Sequence, residues 1–319
     1  MQDELSKELQ KSALINSKGE TYMEFRKTLT PRWGVVWSHI ALGWMALALF
    51  NLSIVLLSGQ HLAMDFLLIG IGSIVIGFNI AYLQLFFHEA AHFNLHADRK
   101  VNDVLCNLFV SGIVGQDIKQ YRPIHWNHHR HLGSPEDTEI SYFDPLNIKL
   151  LVTSLLGIRA LKVIALRKKE QEKSQKNPIP YTLIAGMTVN LIYLSILMYF
   201  NQWVLIIAWA GGIFAWFPFF GVLRQIIEHR DEYADLSTDY TTVVHGAIHR
   251  LFGDSVLAST LGGAGFNRHL LHHWDPQVSY TRLREIEHFL MDTQGAAYLK
   301  EHVTTYSETF RRLFQPVWR

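Results

Sequence analysis

The sequence predicts an all-α integral membrane protein with two transmembrane hairpins, four spans in all, under a cytoplasmic helical cap. Three observations predict it. Charged residues make up only 18% of the 319 residues, against about 25% in ordinary soluble proteins. The missing charge is concentrated: no Lys or Arg occurs from Trp33 to Phe87 or from Asn177 to Leu223, and Asp65 is the only acidic residue in either interval. The third observation is the 17 histidines, more than packing needs, most of them in clusters outside those intervals.

Taken in order, the N-terminus reads MQDELSKELQ, without the basic n-region and short apolar core of a cleavable signal, so the first span is expected to remain as an anchor. A membrane core of about 30 Å needs roughly 20 apolar helical residues, and four stretches qualify: Val35–Leu57, Leu62–Phe87, Tyr181–Phe200 and Trp203–Leu223. Ser58–His61 joins the first pair and Asn201-Gln202 the second. Buried helices of a soluble protein are the alternative, but four consecutive helices apolar all round speak against it. All 29 basic residues avoid spans and connectors, so the positive-inside rule puts both termini and the central segment in the cytoplasm. Trp33, Trp37, Tyr199 and Trp203 fall near span ends, where aromatic belts form.

The whole chain, 1–319, reads as one domain: a first hairpin at 35–87, a cap segment at 88–178, a second hairpin at 179–223 and a second cap segment at 224–319. The first cap segment carries thirteen Lys and Arg. Within it, Ile148–Leu166 is largely apolar but contains Lys149, Arg159 and Lys162 and runs into Arg167-Lys168-Lys169. It is expected to lie along the membrane surface, because a crossing would put the hairpins on opposite sides. Val104–Val114 is too short to span. The tail from Thr281 alternates charged and apolar residues at helical spacing, and no internal repeat or low-complexity tract is present. A net charge of +1 gives no support to nucleic-acid binding. The single cysteine, Cys106, excludes an internal disulfide framework and Cys-ligated clusters.

The histidines point to chemistry. They form His88-Glu-Ala-Ala-His92, His125-Trp-Asn-His128-His129 and His269-Leu-Leu-His272-His273, with His229 just past the fourth span. Residues at i and i+4 share a helix face, so each cluster can present two or three imidazoles together. Nine imidazoles exceed the six ligands of an octahedral ion, and two metal ions are the economical reading of this di-metal site; imidazole alone does not name the metal. His39, His61, His245, His249, His288 and His302 stand outside the clusters and read as ordinary core or surface residues, whereas His96 extends the first cluster by one i+4 step.

These boxes resemble the membrane-bound, histidine-rich, non-haem di-iron enzymes, above all the fatty acid desaturases, with an HxxxH box after the second span, HxxHH before the second hairpin and HxxHH near the C-terminus. Asn102-Asp103 through Tyr121-Arg122 to His125, Arg224-Gln-Ile-Ile-Glu228-His229, and Pro276 after the last box are similar to desaturase elements, and the likeness spans roughly Val35 to Leu283. It implies two irons, held by His88, His92, His125, His128, His129, His229, His269, His272 and His273. Glu89, Glu228 and Asn267 are then expected to orient or support ligands, with His96 as a tenth participant. Asp137 resembles acidic positions common beyond the second box. Leu271 stands where many desaturases have Glu, and Asn267-Arg268-His269 is similar to membrane alkane hydroxylases.

The resemblance implies O2-dependent desaturation of a fatty-acyl or related lipid chain, or, as the alternative, hydroxylation or ketolation of an alkane, carotenoid or other lipid. No organic cofactor is expected. Electrons are expected from a separate protein of ferredoxin, rubredoxin or cytochrome b5 type; Lys and Arg of the cap either dock it or face lipid. Three other readings compete. His88-Glu89-Ala-Ala-His92 is literally a zincin motif, but an intramembrane zinc protease uses only one box. A metal transporter places its ligands at the bilayer midplane. A carboxylate di-iron bundle matches only Glu89/His92 and Glu285/His288 and leaves most clustered histidines unused.

Overall fold

The computed structural model describes residues 9–139, 142, 144–159, 161–162, 181–231 and 249–314, and among them it contains no strand, only isolated bridges between Ile15 and Thr21 and between Leu251 and Val303. Helices α1 (Tyr22–Lys27), α2 (Trp33–Leu57) and α3 (Leu62–Ala91) come first, followed by α4 (Arg99–Phe109), α5 (Ile118–His131) and α6 (Ile148–Leu155). Then come α7 (Tyr181–Tyr199) and α8 (Trp203–His229). The remainder holds α9 (Val256–Leu261), α10 (His269–Trp274), α11 (Leu283–Met291), α12 (Ala296–Glu301) and α13 (Tyr306–Phe314).

Helices α2, α3, α7 and α8 are long and apolar enough to cross a membrane. Their outward side chains, among them Leu49, Leu56, Phe66, Leu191 and Phe214, are exposed, an apolar surface of the kind a bilayer would cover. At 1.5 Å per residue the 30 residues of α3 and the 27 of α8 reach about 45 Å and about 40 Å, beyond a hydrocarbon core of about 30 Å. Both helices therefore outlast the expected spans. His88 and Glu89 lie on the last turns of α3, and Glu228 and His229 end α8.

Small residues let these two helices touch. A Cβ on Gly77 would stand 2.4 Å from Trp216 Cβ and 2.9 Å from the Gly212 carbonyl; one on Gly212 would meet Ile76 at 2.6 Å, and one on Gly211 would meet Ser73 Oγ at 2.4 Å. Such contacts replace the hydrophobic drive that helices lose in lipid. Beside the contact, α8 widens into a π-turn at Gly212–Trp216, where Phe217 N–H bonds the Gly212 carbonyl. Pro218 follows at once. It lacks an N–H and crowds the carbonyl four residues back, and the wider turn absorbs both defects.

The shorter helices sit around the ends of α3 and α8. Helix α4 turns Asn102, Asp103 and Asn107 inward and leaves Val104, Leu108 and Phe109 exposed. Of the segment at 148–166, α6 covers the first eight residues; residues 160 and 163–166, and the basic run after them, lie outside the described residues, as does His245. The N-terminal stretch binds the C-terminal part. Trp274 Nε1 donates to the Leu9 carbonyl at 3.0 Å, Tyr22 Oη to Asp275 at 2.8 Å and Arg26 Nε to Asp275 at 2.6 Å. Leu9, Leu14 and Tyr22 thereby join Leu270, Leu271, Trp274 and Phe289 in a core of their own.

Candidate metal centre

Each box is fixed by contacts that its neighbouring sequence supplies. Helix α3 ends at Ala91, and Arg122 on α5 reaches its terminal carbonyls, donating from Nε to Ala91 at 3.0 Å and from Nη2 to Ala90 at 3.2 Å. Asn102 adds a bond to the Ala90 carbonyl at 3.0 Å, and Asp103 pairs with Arg122 at 2.5 Å. A cation at a helix C-terminus suits the dipole and fills orphan acceptors. The motif Asn102-Asp103…Tyr121-Arg122 thus docks the first box against the second.

The second box runs along α5. The loop after it folds back, with Thr138 Oγ1 on the Ile124 carbonyl at 2.6 Å and Asn127 Nδ2 on the Glu136 carbonyl at 2.8 Å. This puts Asp137 behind His128, 2.9 Å from its Nδ1, and Glu139 behind His125, 3.2 Å from its Nδ1. Glu139 also accepts from Tyr121 at 3.0 Å and Gln225 at 2.9 Å, and Asp137 accepts from the Tyr142 hydroxyl. The third box fills α10, launched from a tight turn with Ala264 and Gly265 at positive φ and tied by Leu270 N to the Arg250 carbonyl at 3.2 Å.

The eight boxed histidines and His229, all buried, converge on two adjoining nests. His88, His92, His125, His129 and His272 form one; His229 is common to two further sets, one with His128 and His273, the other with His269 and Glu228. In the first, Nε2 atoms run from His92 to His125 (2.8 Å), His129 (3.0 Å) and His272 (3.1 Å). In the second, His229, His269 and His273 follow one another at 3.0 and 3.1 Å. The nests meet where the His129 and His273 rings stand 4.3 Å apart. The two HxxHH boxes serve the nests reciprocally. His125 and His129 point to the first and His128 to the second, whereas His269 and His273 point to the second and His272 to the first. Adjacent helical residues differ by about 100°, so one short box can face both ways.

The donor set fits metal ions. Because Glu139 accepts at His125 Nδ1, a neutral His125 carries its proton there and a single lone pair at Nε2. That one lone pair faces two further ring nitrogens, at 2.8 and 3.0 Å, which hydrogen bonding does not satisfy. Nitrogens about 2.1 Å from a common ion and about 90° apart stand about 3.0 Å from each other. Both ring nitrogens of His88, and Nδ1 of His92, His129, His229, His269 and His272, are buried without a hydrogen-bond partner among the described residues. Burial and neighbouring imidazoles hold His92, His129, His269, His272 and His273 well below the usual histidine range, which leaves them neutral and able to ligate. Burial lowers His125 too; at His128 it also acts downward, but Asp137 and Glu139 outweigh it and the net shift is upward. Glu89, Asp137, Glu139 and Glu228 are all buried around the nests.

A profile described as Fatty acid desaturase matches residues 64–307, most of the chain. The chain belongs to the fatty acid desaturase family. Compared with curated proteins one by one, it finds no match.

Within this desaturase-family fold the supporting residues distribute unevenly. Glu228 comes closer to the ligand atoms than a supporting role requires, with Oε2 3.7 Å from His269 Nε2. Glu89 lies behind His88, Oε1 3.8 Å from its Nδ1, while Oε2 accepts from Asn94 and from Tyr280 N. Asn267 makes its described bonds with backbone, donating from Nδ2 to the Gly253 carbonyl at 2.9 Å, and so fixes the turn before the third box. His96 does not extend the first face, because the helix stops at Ala91; its Nδ1 accepts from Asp98 N at 3.0 Å. His131 is exposed. Two residues escaped the spacing argument. Glu139 carried a faint signal as the second acid of Asp137-Thr-Glu139. His249, an isolated histidine in sequence, is buried with its ring 4.7 Å from that of His273.

Proposed function

We infer that this desaturase-family protein is an O2-dependent, non-haem di-iron desaturase of a fatty-acyl or related lipid chain. One observation carries the reading: the eight boxed histidines and His229 divide into two adjoining nests at the ends of two long apolar helices. His88, His92, His125, His129 and His272 would hold one iron, and His128, His229, His269 and His273 the other. Bound there, the irons supply O2 activation with two external electrons and removal of hydrogen from an unactivated C–H bond.

The chain's own residues do the rest. Asp137 and Glu139 hold His128 and His125 at Nδ1, turning each Nε2 inward. Phe266 packs against His88 and His269, with ring centroids at 4.5 and 4.9 Å, and Arg224 lies over its ring at 4.1 Å; the buried phenyl ring shields these two histidines from water. The reading makes 1–319 a single domain with both termini and the histidine boxes cytoplasmic, a lipid substrate entering from the bilayer, and a separate ferredoxin, rubredoxin or cytochrome b5 type donor. Glu89 supports it against a zinc protease, because its Oε2 is engaged by Asn94 and Tyr280 N and both histidines of its motif belong to a five-imidazole nest.

Mass spectrometry of lipids from cells with and without the expressed protein tests the reaction. Loss of a hydrogen pair from an acyl chain is expected. Gain of an oxygen atom would establish the hydroxylase or ketolase reading instead, and unchanged lipids alongside iron-loaded protein and a supplied donor would overturn both.

A further inference from the structure

We propose that His249 is a further imidazole ligand of the second nest, a tenth histidine in the centre. The inference rests on the di-metal reading above. The two nests are unequal in imidazoles: five on one side, and four on the other together with Glu228. Glu228 is a divided donor, since Oε2 lies 3.7 Å from His269 Nε2 and 3.8 Å from Arg224 Nε. His249 sits beside the poorer nest. Its ring centroid is 4.7 Å from His273 and 5.9 Å from His229, against 4.6 to 5.2 Å among the ring pairs His269–His273, His229–His269, His229–His273 and His128–His273.

The side chain is 8% exposed, and its Nδ1 has no partner among the described residues. A buried imidazole nitrogen left unsatisfied is destabilising, and a cation next to it removes that cost. The backbone beside it is anchored. Arg250 donates from Nη1 to the Ile227 carbonyl at 2.8 Å and from Nη2 to the Arg230 carbonyl at 2.6 Å, tying this segment to the end of α8 that carries His229. Leu251 N bonds the His302 carbonyl at 2.9 Å, and the Arg250 carbonyl accepts from Leu270 N on the third box. The same residue that ties His249 to α8 thus also ties it to α10. A stacking role against His273 is the competing account.

Iron analysis and Mössbauer spectroscopy on purified full-length protein separate the two. Wild type should hold about two irons with a distinguishable component for each nest; failure here would count against the di-metal reading itself. His249→Phe keeps the ring volume and removes the nitrogen. The expected result is loss of one iron, or retention at least about tenfold weaker, with the surviving component unchanged and the other component altered. His131→Phe, at an exposed position, should match wild type. If His249→Phe does not fold, His249→Ala with and without added imidazole decides, and imidazole should restore the second component. Two irons and an unchanged spectrum in His249→Phe, or no response of His249→Ala to imidazole, would overturn the proposal while leaving the di-metal reading standing.

Discussion

His128 shows at the scale of a single side chain how a carboxylate sets an imidazole's task. Burial alone would lower its pKa, yet Asp137, 2.9 Å from Nδ1, and Glu139 turn the shift upward. The ring is thereby oriented and made a stronger donor at Nε2. Asp137→Asn keeps the shape and loses the charge. It is expected to weaken iron retention in the second nest by about 10–100-fold and to spare the first, measured by chelator competition on purified protein; equal retention in both nests would refute the role. The boxes themselves were legible because i, i+3 and i+4 spacing is a local property of a helix. Their partition was not, since whether His272 faces the first nest or the second depends on how α10 is rotated against α5. His249 left no trace in the spacing at all, because Arg250 and Leu251 bring it in through backbone contacts made from far along the chain.

Helices α3 and α8 place the first box and His229 by crossing at Gly77 and Gly212, so the geometry of the centre rests on the absence of two side chains. A leucine at Gly77 would drive its Cβ to 2.4 Å from Trp216 and toward backbone on both sides of the π-turn. Gly77→Leu should cost at least about 2 kcal/mol, read as a lower unfolding temperature in detergent, with iron lost in the same transition. Gly70→Leu, on the same helix with nothing within 4 Å of the added Cβ, should unfold near wild type. Equal stability of the two variants would mean the crossing is loose. The apolar length of these helices was plain in the sequence, but their true ends were not. Helix α3 runs on to Ala91 and α8 to His229 because Arg122 and Arg250 take up the last carbonyls, and neither partner is near in sequence. The short α4 is periodic in sequence, but which of its faces turns inward was not legible: it buries Asn102, Asp103 and Asn107 and exposes Val104 and Leu108, an inverted face that suits the edge of a bilayer.

For the molecule as a whole, a buried set of neutral imidazoles makes folding sensitive to acid. His92, His129, His269, His272 and His273 are held well below the ordinary value of about 6.5. Below that pH the unfolded chain binds protons that the folded chain refuses, so stability is full above it and falls as the pH drops. The unfolding temperature should be level between about pH 8 and pH 7 and decline toward pH 5.5; a flat profile would mean that the rings accept protons without disturbing the fold. The membrane orientation sets the remaining expectation. Gln60 lies on the exposed connector between α2 and α3, and Gln202 on the connector between α7 and α8. Lys119 is exposed on α5, the helix of the second box. The only native cysteine, Cys106, is buried, so single cysteines placed at these three positions report without removing it. Because neither connector carries a basic residue while all 29 stand elsewhere, the positive-inside rule puts Gln60 and Gln202 outside and Lys119 within. An impermeant thiol reagent applied to intact cells should therefore label Gln60→Cys and Gln202→Cys, and label Lys119→Cys only after the membrane is opened. Labelling of Lys119→Cys in intact cells would place the boxes on the outer face, where a cytoplasmic electron donor could not reach them. Labelling of only one connector would put α3 and α8 in the membrane with their box-bearing ends on opposite sides, which the single centre formed by His88, His92 and His229 does not allow.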